Sequence, residues 1–336
     1  MKKGLIILTI ILGVLTLLAA FAGNVSPDTS SVMTFLALVL PFLLVLNIIA
    51  VIYWAIRFRY WVWIPVVAIV ANWTYISSMI QNPFRERAIP KTEETLKVAT
   101  YNVGRFGKDS SGFNTRRIAF AMAEEQVDVL CFQEFTEFTE LPIDSLSSIL
   151  SIWPYSVIPK TEDGTDILPL AVYSRYPIVD SGLITFPYTP NASMWFDIRI
   201  NNKTLRIFNN HLQTTSVNQS GGRLQTGVFL YSVNDIVRAR QAETINALIK
   251  ESPYPVIVAG DFNSPPSSYT YRTMKGDLKD GFRSAGHGFG YTYRYFKRTL
   301  RIDYIFYSPS LVAIDYYSPD WDYGSDHNPV MLEIEI

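Results

Sequence analysis

Pro255-Val256-Ile257-Val258-Ala259, followed at once by Gly260-Asp261-Phe262-Asn263, decides how this chain is read. A run of five apolar residues bounded by turn-formers is too short for a helix and reads as a buried strand. The four residues after it place a carboxylate and a carboxamide at its end. A second such arrangement lies near residue 327, where Gly324-Ser325-Asp326-His327 stands just ahead of the apolar run from Pro329 to Ile336. Strand ends are where α/β sheets display reactive groups. Asn102, within the run Leu96 to Val103, and Glu134, just after Val127 to Phe132, hold similar positions upstream.

Outward from these anchors the pattern alternates between strands and helices. Asn114 to Glu125 reads as a helix with Ile118 and Met122 on one face, and Asp235 to Lys250 as a second, amphipathic one. Further strands are predicted over residues 168–173, 178–186, 194–200, 204–209, 291–295, 302–307 and 312–317, with Asn201-Asn202 as a hairpin turn. Thr214 to Leu224, containing Gly221-Gly222, reads as a loop beside His211. Many strands with few helices predict an α/β sandwich of two mixed β-sheets packed face to face, with helices outside.

Residues 1–80 are of another kind. Their only charged side chains are Lys2, Lys3, Asp28, Arg57 and Arg59, and they hold three apolar stretches at about 5–21, 32–56 and 60–80. A spanning helix needs roughly 17–25 apolar residues, so two or three transmembrane helices are expected. Pro41 and Pro65 are compatible with this, because proline is tolerated in membrane helices. The first stretch, with Lys2 and Lys3 ahead of it and Ala20-Phe21-Ala22-Gly23 behind, also has the form of a cleavable secretory signal. In either case the Arg57/Arg59 turn is expected inside, which puts the rest of the chain on the extracytoplasmic side. The expected organisation is a membrane region over 1–80, a polar linker over 81–95 and a catalytic domain over 96–336.

Composition removes several classes. One cysteine, Cys131, and three scattered histidines exclude an intrachain disulfide framework and argue against a Cys/His zinc centre. Taking the four basic and one acidic residue of the first 80 from the chain's 29 and 30 leaves 25 basic and 29 acidic, a net of −4. A dedicated nucleic-acid binder shows a basic footprint, and this part of the chain lacks one, although a bound metal can supply local positive charge.

The polar residues at strand ends are Asn102, Glu134, His211, Asp261, Asn263, Asp303, Asp326 and His327. Hard oxygen donors suit Mg²⁺, with Mn²⁺ as the alternative ion; Glu134 is the leading ligand candidate, with Asn102 or Asp326 beside it. Asp261 is placed to act as base toward a water. Asn263, two residues on and so on the same face of an extended chain, can orient that water or a phosphate. His327 can steady the phosphate if a carboxylate fixes its tautomer, and Asp303 is the candidate for that carboxylate. Singly, each residue has a plainer reading: Asp261 and Asn263 as turn residues, Asp303 as a buried ion-pair partner, Glu134 in a solvated loop, His211 as a structural histidine.

Together, the segments Val98-Ala99-Thr100-Tyr101-Asn102-Val103, Phe132-Gln133-Glu134, Asn210-His211-Leu212, Gly260-Asp261-Phe262-Asn263, Arg301-Ile302-Asp303-Tyr304-Ile305 and Gly324-Ser325-Asp326-His327 resemble the endonuclease/exonuclease/phosphatase superfamily, in the family's order. The resemblance covers about 96–336. It implies a four-layer sandwich of the deoxyribonuclease type and Mg²⁺-dependent phosphoester hydrolysis. It also implies Glu134 as metal ligand, Asp261 as the water-activating group with Asn263 its neighbour, and His327 paired with Asp303. Two departures inform the substrate. Tyr101 stands where base-excision endonucleases of the family often carry Trp, and the His211-Leu212 pair is similar to the deoxyribonuclease, sphingomyelinase and inositol-phosphatase branches. The leading expectation is a phosphodiesterase acting on nucleic acid. Its rivals are a phosphoesterase on phospholipid or sphingolipid head groups or inositol phosphates, and an inactive membrane-anchored binding module. The bilayer is the one further partner the sequence implies, and no protein partner is readable.

Overall fold

The computed structural model describes residues 2–85, 95–161, 168–215 and 224–336. Most of the expected linker, and Gly221-Gly222 of the expected loop, lie outside the described residues. The chain divides into two compact units.

The larger unit comprises Ile80–Thr214, Glu243–Asn263 and Lys275–Ile336. Its strands are β1 (Thr95–Asn102), β2 (Val129–Gln133), β3 (Tyr155–Val157), β4 (Leu170–Ser174), β5 (Ile178–Thr185), β6 (Ala192–Ile200), β7 (Lys203–His211), β8 (Val256–Asp261), β9 (Lys279–Asp280), β10 (Asp303–Tyr307), β11 (Val312–Tyr317) and β12 (Val330–Glu335). Among the described residues they form two six-stranded sheets, β11-β12-β1-β2-β4-β3 and β5-β6-β7-β8-β10-β9. Both are mixed: β1 and β2 run parallel, as do β7 and β8, while the neighbouring pairs are antiparallel. One core lies between the sheets, where Val98, Cys131 and Val172 of the first meet Phe196, Ile207, Ile257 and Ile305 of the second. Another lies on the outer face of the first sheet, where Tyr101, Phe132 and Tyr173 pack with Ile118 and Met122 of a helix over Phe113–Glu124. Strands covered on both faces need no polar alternation. That is why β2, β4, β8 and β10 are buried at every position.

Two expectations change. Residues 291–295 form no strand and make only isolated bridges at Tyr293. Instead of a ladder with β10, the Thr292 hydroxyl takes the Ile302 and Asp303 N–H groups, while the N–H groups of Thr292 and Tyr293 turn to the Leu300 carbonyl. The second predicted helix starts earlier than Asp235, at Leu224.

The smaller unit gathers Met1–Met79, Thr215–Ala242 and Ser264–Met274. Its helices are α1 (Lys2–Ala20), α2 (Ser31–Ile56), α3 (Trp63–Ala71) and α4 (Trp73–Met79); the long helix from Leu224 contributes its first part. The helices over Lys3–Asn24 and Ser31–Ile56 are long and apolar enough to cross a membrane. The third apolar stretch is bent by 60° between α3 and α4, and counts as one span only if the pair is taken together. Asn72 stands at the break, where its Nδ2 donates to the Ala68 carbonyl at 2.9 Å and the Thr16 carbonyl at 3.0 Å.

Candidate active site

Register alone assembles half of the site. In the second sheet, parallel pairing sets His211 beside Asp261, and antiparallel pairing sets Asp303 beside Asp261. Three chemically active side chains therefore stand in one row on adjacent strands. In the first sheet, Asn102 pairs with Gln133, so Glu134 is the next residue along. Gly260 permits the close approach of β7 and β8: its φ is +141°, and a Cβ there would lie 2.1 Å from the Asn210 carbonyl oxygen. Glu134 and Asn263 both adopt φ near +50°. Left-handed backbone at a non-glycine residue is strained and concentrates at functional sites.

Asp261 is the hub. Its Oδ2 accepts from Asn102 Nδ2 at 3.0 Å and from Asn263 Nδ2 at 3.2 Å, and its Oδ1 accepts from the Asn263 N–H at 2.8 Å. His327 Nε2 lies 3.7 Å and His211 Nε2 3.9 Å from the same Oδ2. Asn102 Nδ2 also donates to Glu134 Oε1 at 3.2 Å, joining the two sheets' contributions. His327 Nδ1 meets the Asp303 carboxylate at 3.0 and 3.1 Å. Asp303 and Asp261 are each only 1 % exposed.

Such burial moves proton affinities. Desolvation raises Asp261 above the usual carboxylate range, with His327 opposing. For His327, desolvation lowers the value, but Asp303 and then Asp261 outweigh it and hold the ring protonated. His211 goes the other way: burial dominates its neighbours Asp261 and Glu134 and keeps it neutral. Both of its ring nitrogens are buried without a hydrogen-bond partner. An unmatched pair of that kind is costly unless a ligand or water completes it.

All eight expected residues can thus be placed. Asn102, Glu134, His211, Asp261, Asn263, Asp303 and His327 converge, and Asp326 sits at the edge, with Oδ1 3.9 Å from His327 Nε2. The tightest His/Asp cluster among the described residues is Asp261, Asp303 and His327, with ligand atoms within 4.8 Å of one another. Asp303 there is already engaged by His327 Nδ1, so that trio reads better as a proton-holding set than as a metal cage. The more open carboxylates are Glu134, which accepts from Asn102 Nδ2, and Asp326 at the edge, with side chains 35 % and 38 % exposed. Oxygen donors of this kind are those a hard divalent cation takes.

Sequence reasoning missed the supports. Ser325 Oγ donates to the Asn102 carbonyl at 2.6 Å and accepts from the His327 N–H at 3.0 Å, pinning the last signature to the first. Thr292 Oγ1 accepts from the N–H groups of Ile302 and Asp303. Beneath the site, Gln133 Nε2 donates to Asn209 Oδ1 at 2.6 Å and to Thr100 Oγ1 at 2.9 Å, bridging the sheets. Ser325 and Gln133 lay inside quoted motifs without an assigned task. For Asn209 and Thr292 no sequence signal existed.

Residues 99–327 match the model of the endonuclease/exonuclease/phosphatase family, and the chain belongs to that family of hydrolases. Residues 2–79 match a separate domain of unknown function. Among solved structures, an endonuclease/exonuclease/phosphatase from Bacteroides vulgatus is 20% identical, covers 73% of this chain and 100% of its own, with TM-score 0.56. A mannosyl-6-phosphatase from Bacteroides thetaiotaomicron is 20% identical over 72% of this chain and 100% of its own, with TM-score 0.51. Sphingomyelinase C from Streptomyces griseocarneus is 21% identical over 71% and 99%, with TM-score 0.52. These likenesses establish the deoxyribonuclease-type sandwich. No curated protein gives a significant match.

Proposed function

We propose that the chain hydrolyses a phosphoester by in-line attack of a water, with Asp261 as base and a divalent cation held by Glu134 together with Asn102 or Asp326. The observation that carries this reading is the Asp261 carboxylate, held at once by Asn102, Asn263 and the Asp303-braced His327. A carboxylate has about four lone-pair sites, so Asp261 keeps capacity for a water beyond its three bonds to Asn102 and Asn263. Its raised proton affinity makes it a better acceptor for that water's proton. Asn263 sets the direction of the water. His327, cationic through Asp303, faces the negative charge that grows on the phosphoryl oxygens. Neutral His211 offers an N–H to the same oxygens. A divalent cation, Mg²⁺ or Mn²⁺, would add charge stabilisation at the phosphoryl and leaving oxygens.

Nucleic acid, the substrate class first expected, is poorly served. Of Arg294, Lys297, Arg298 and Arg301, the basic residues nearest one another in sequence that could meet a phosphate backbone, Arg294 and Arg298 pair with Asp320 and Asp322, and Arg301 is fully buried against Asp280. For placement, the reading is a multi-pass protein with its catalytic part outside the cytoplasm. Lys2 and Lys3 at the start of α1, and Arg57 and Arg59 after α2, mark one end of the spans. Arg240 pairs at 2.9 Å with Asp28, in the connection at the opposite end.

The test uses the full chain in detergent with nitrophenyl phosphate and its methyl diester, in Mg²⁺ or in EDTA. Metal-dependent nitrophenolate release, lost in Asp261→Ala, is expected. A folded, Mg²⁺-binding protein that cleaves neither ester supports the inactive-module reading instead. Plasmid nicking by the same preparation decides the nucleic-acid branch, and a reporter fused after Ile336 that works only in the cytoplasm reverses the placement.

A further inference from the structure

We infer that Asn209 is a positioning residue which, with Gln133, holds the Glu134 side of the site in register with the Asp261 side; the inference deepens the phosphoester reading above and rests on it. The need for such a device comes from how the sheets meet. Asn102 ends β1 and Glu134 follows β2 in the first sheet, whereas His211, Asp261 and Asp303 lie on β7, β8 and β10 of the second. The core between the sheets is built from side chains such as Val98, Cys131 and Val172 against Phe196, Ile207 and Ile257. Apolar contact is non-directional, so it presses two faces together without fixing how far one is shifted along the other. At the site itself one donor, Asn102 Nδ2, is shared by Glu134 Oε1 at 3.2 Å and Asp261 Oδ2 at 3.0 Å. Two carboxylates that close repel when both are ionised, so the arrangement needs holding from elsewhere.

Asn209 supplies the hold. It lies in β7 two residues before His211, on the same face of the strand and about 7 Å along it. It is fully buried, and its carboxamide reaches the first sheet with every group it has. Nδ2 donates to the Phe132 carbonyl at 3.0 Å and the Ala171 carbonyl at 3.2 Å, and Oδ1 accepts from Gln133 Nε2 at 2.6 Å. Phe132 and Ala171 are cross-strand partners in β2 and β4, so one amide pins two strands of the opposite sheet. Because carbonyls take both of its hydrogens, its oxygen is left for Gln133 and the direction of that bond is settled.

Gln133 passes the hold on. Also fully buried, it donates to Thr100 Oγ1 at 2.9 Å and the Cys131 carbonyl at 3.1 Å, while its own Oε1 has no partner among the described residues. An idle buried acceptor is costly, so what Gln133 contributes here is its donors; methionine would fill the space without that cost. Gln133 ends β2, and the chain turns at once through Glu134, whose φ is +50°. A shift of Gln133 therefore reaches Glu134 within one residue. On the other sheet Asn209 pairs with Ala259, two positions below the pair of His211 with Asp261. The clamp thus joins the strand that leads to the candidate metal ligand with the strands that carry the base. Buried polar networks with directional bonds specify one arrangement of a core where apolar packing allows several.

The experiment uses the full chain in detergent and compares Asn209→Leu, Gln133→Met and the double variant with Trp153→Phe. The last loses a buried hydrogen bond to the Val127 carbonyl on the outer face of the first sheet and none between the sheets. Mg²⁺ binding is read by calorimetry, and turnover with the two nitrophenyl esters. A shift between the sheets displaces the metal ligand and the base together. Asn209→Leu is therefore expected to weaken Mg²⁺ binding about tenfold and to lower kcat at saturating Mg²⁺ about tenfold, with KM for the ester near its wild-type value. Gln133→Met is expected to do the same, and the double variant to do no more than the stronger single, because the two act as one unit. Trp153→Phe is expected to lose thermal stability alone. Wild-type Mg²⁺ affinity and kcat in folded Asn209→Leu, or losses that add in the double variant, overturn the positioning role and leave the hydrolase reading intact. Equal losses in Trp153→Phe overturn it as well, since they would follow from lost stability. If Asn209→Leu does not fold, Gln133→Met decides by the same two readouts. A wild-type chain that cleaves neither ester overturns both readings.

Discussion

The strand-end site and the helices α1–α4 both bury polar groups, but of opposite kinds. At the site the buried groups are ionisable: Asp261, Asp303, His211 and His327, each at most 4 % exposed. Among α1–α4 they are neutral. Asn47 Nδ2 donates to Thr16 Oγ1 at 2.7 Å, Trp54 Nε1 donates to Thr9 Oγ1 at 2.9 Å, and Asn72 satisfies the Thr16 carbonyl. Dipoles can hold helices together in lipid at small cost. Buried charge is far more expensive; away from the site it persists as paired charges, such as Arg301 with Asp280 and Arg238 with Asp235. The contrast predicts that damage at the site falls on turnover, and damage between the helices falls on stability.

The largest effect is expected at Asp261. Replacing it with Ala removes the base and the acceptor that orients Asn102 and Asn263, and turnover of either nitrophenyl ester should fall at least about a hundredfold. A rate near wild type removes Asp261 from this role. Next comes Asp303→Asn, which keeps shape but takes away the charge that holds His327 protonated. Turnover should fall about tenfold or more. The sign of the pH effect follows from the same pair: Asp303 raises the proton affinity of His327, so its loss moves the alkaline limb of the rate profile to lower pH. An unmoved limb means that His327 does not act as the cation. Glu134→Gln should leave the rate at saturating metal largely intact while the half-saturating Mg²⁺ rises on the order of tenfold. Unchanged metal dependence in a titration with calorimetric readout would take Glu134 out of the ligand set.

The strand-end half of this contrast was legible in the sequence because its physics is local. Val256 to Ala259 is apolar, Gly260 and Asn263 tolerate unusual backbone, and Asp261 stands between them, so strand, turn and reactive group occupy eight consecutive residues. Long-range supports left no such trace. Asn209 meets Gln133 across two sheets and 76 positions of chain. Tyr293 looked like one residue of an aromatic strand, whereas its ring lies 5.0 Å from that of His327 in a loop. Pro41 was visible as a proline in a span, but the partner of the carbonyl it frees, Ser267, stands 230 positions away. Membership of residues 215–242 and 264–274 in the helical unit was invisible for the same reason. It also bears on how activity is measured, since a fragment starting near residue 91 would strip these segments of the helices they pack with.

The smallest predicted effect tests the neutral side of the contrast. Asn47 is fully buried in α2, and its Nδ2 makes two bonds, one across to Thr16 and one back to the Leu43 carbonyl. Its Oδ1 makes none. Leucine at this position gives up the interhelical bond but also removes an unmatched acceptor from the interior. Interhelical hydrogen bonds in bilayers average about 0.6 kcal/mol and reach about 2, and the idle oxygen places Asn47→Leu near the lower figure. An SDS titration in mixed micelles should therefore show a small loss of stability, while turnover per folded molecule stays at the wild-type value. A loss of several kcal/mol, or a fall in turnover with the fold intact, would mean that the two kinds of buried polarity are not separated as drawn. Asn47 would then belong to the working parts of the enzyme.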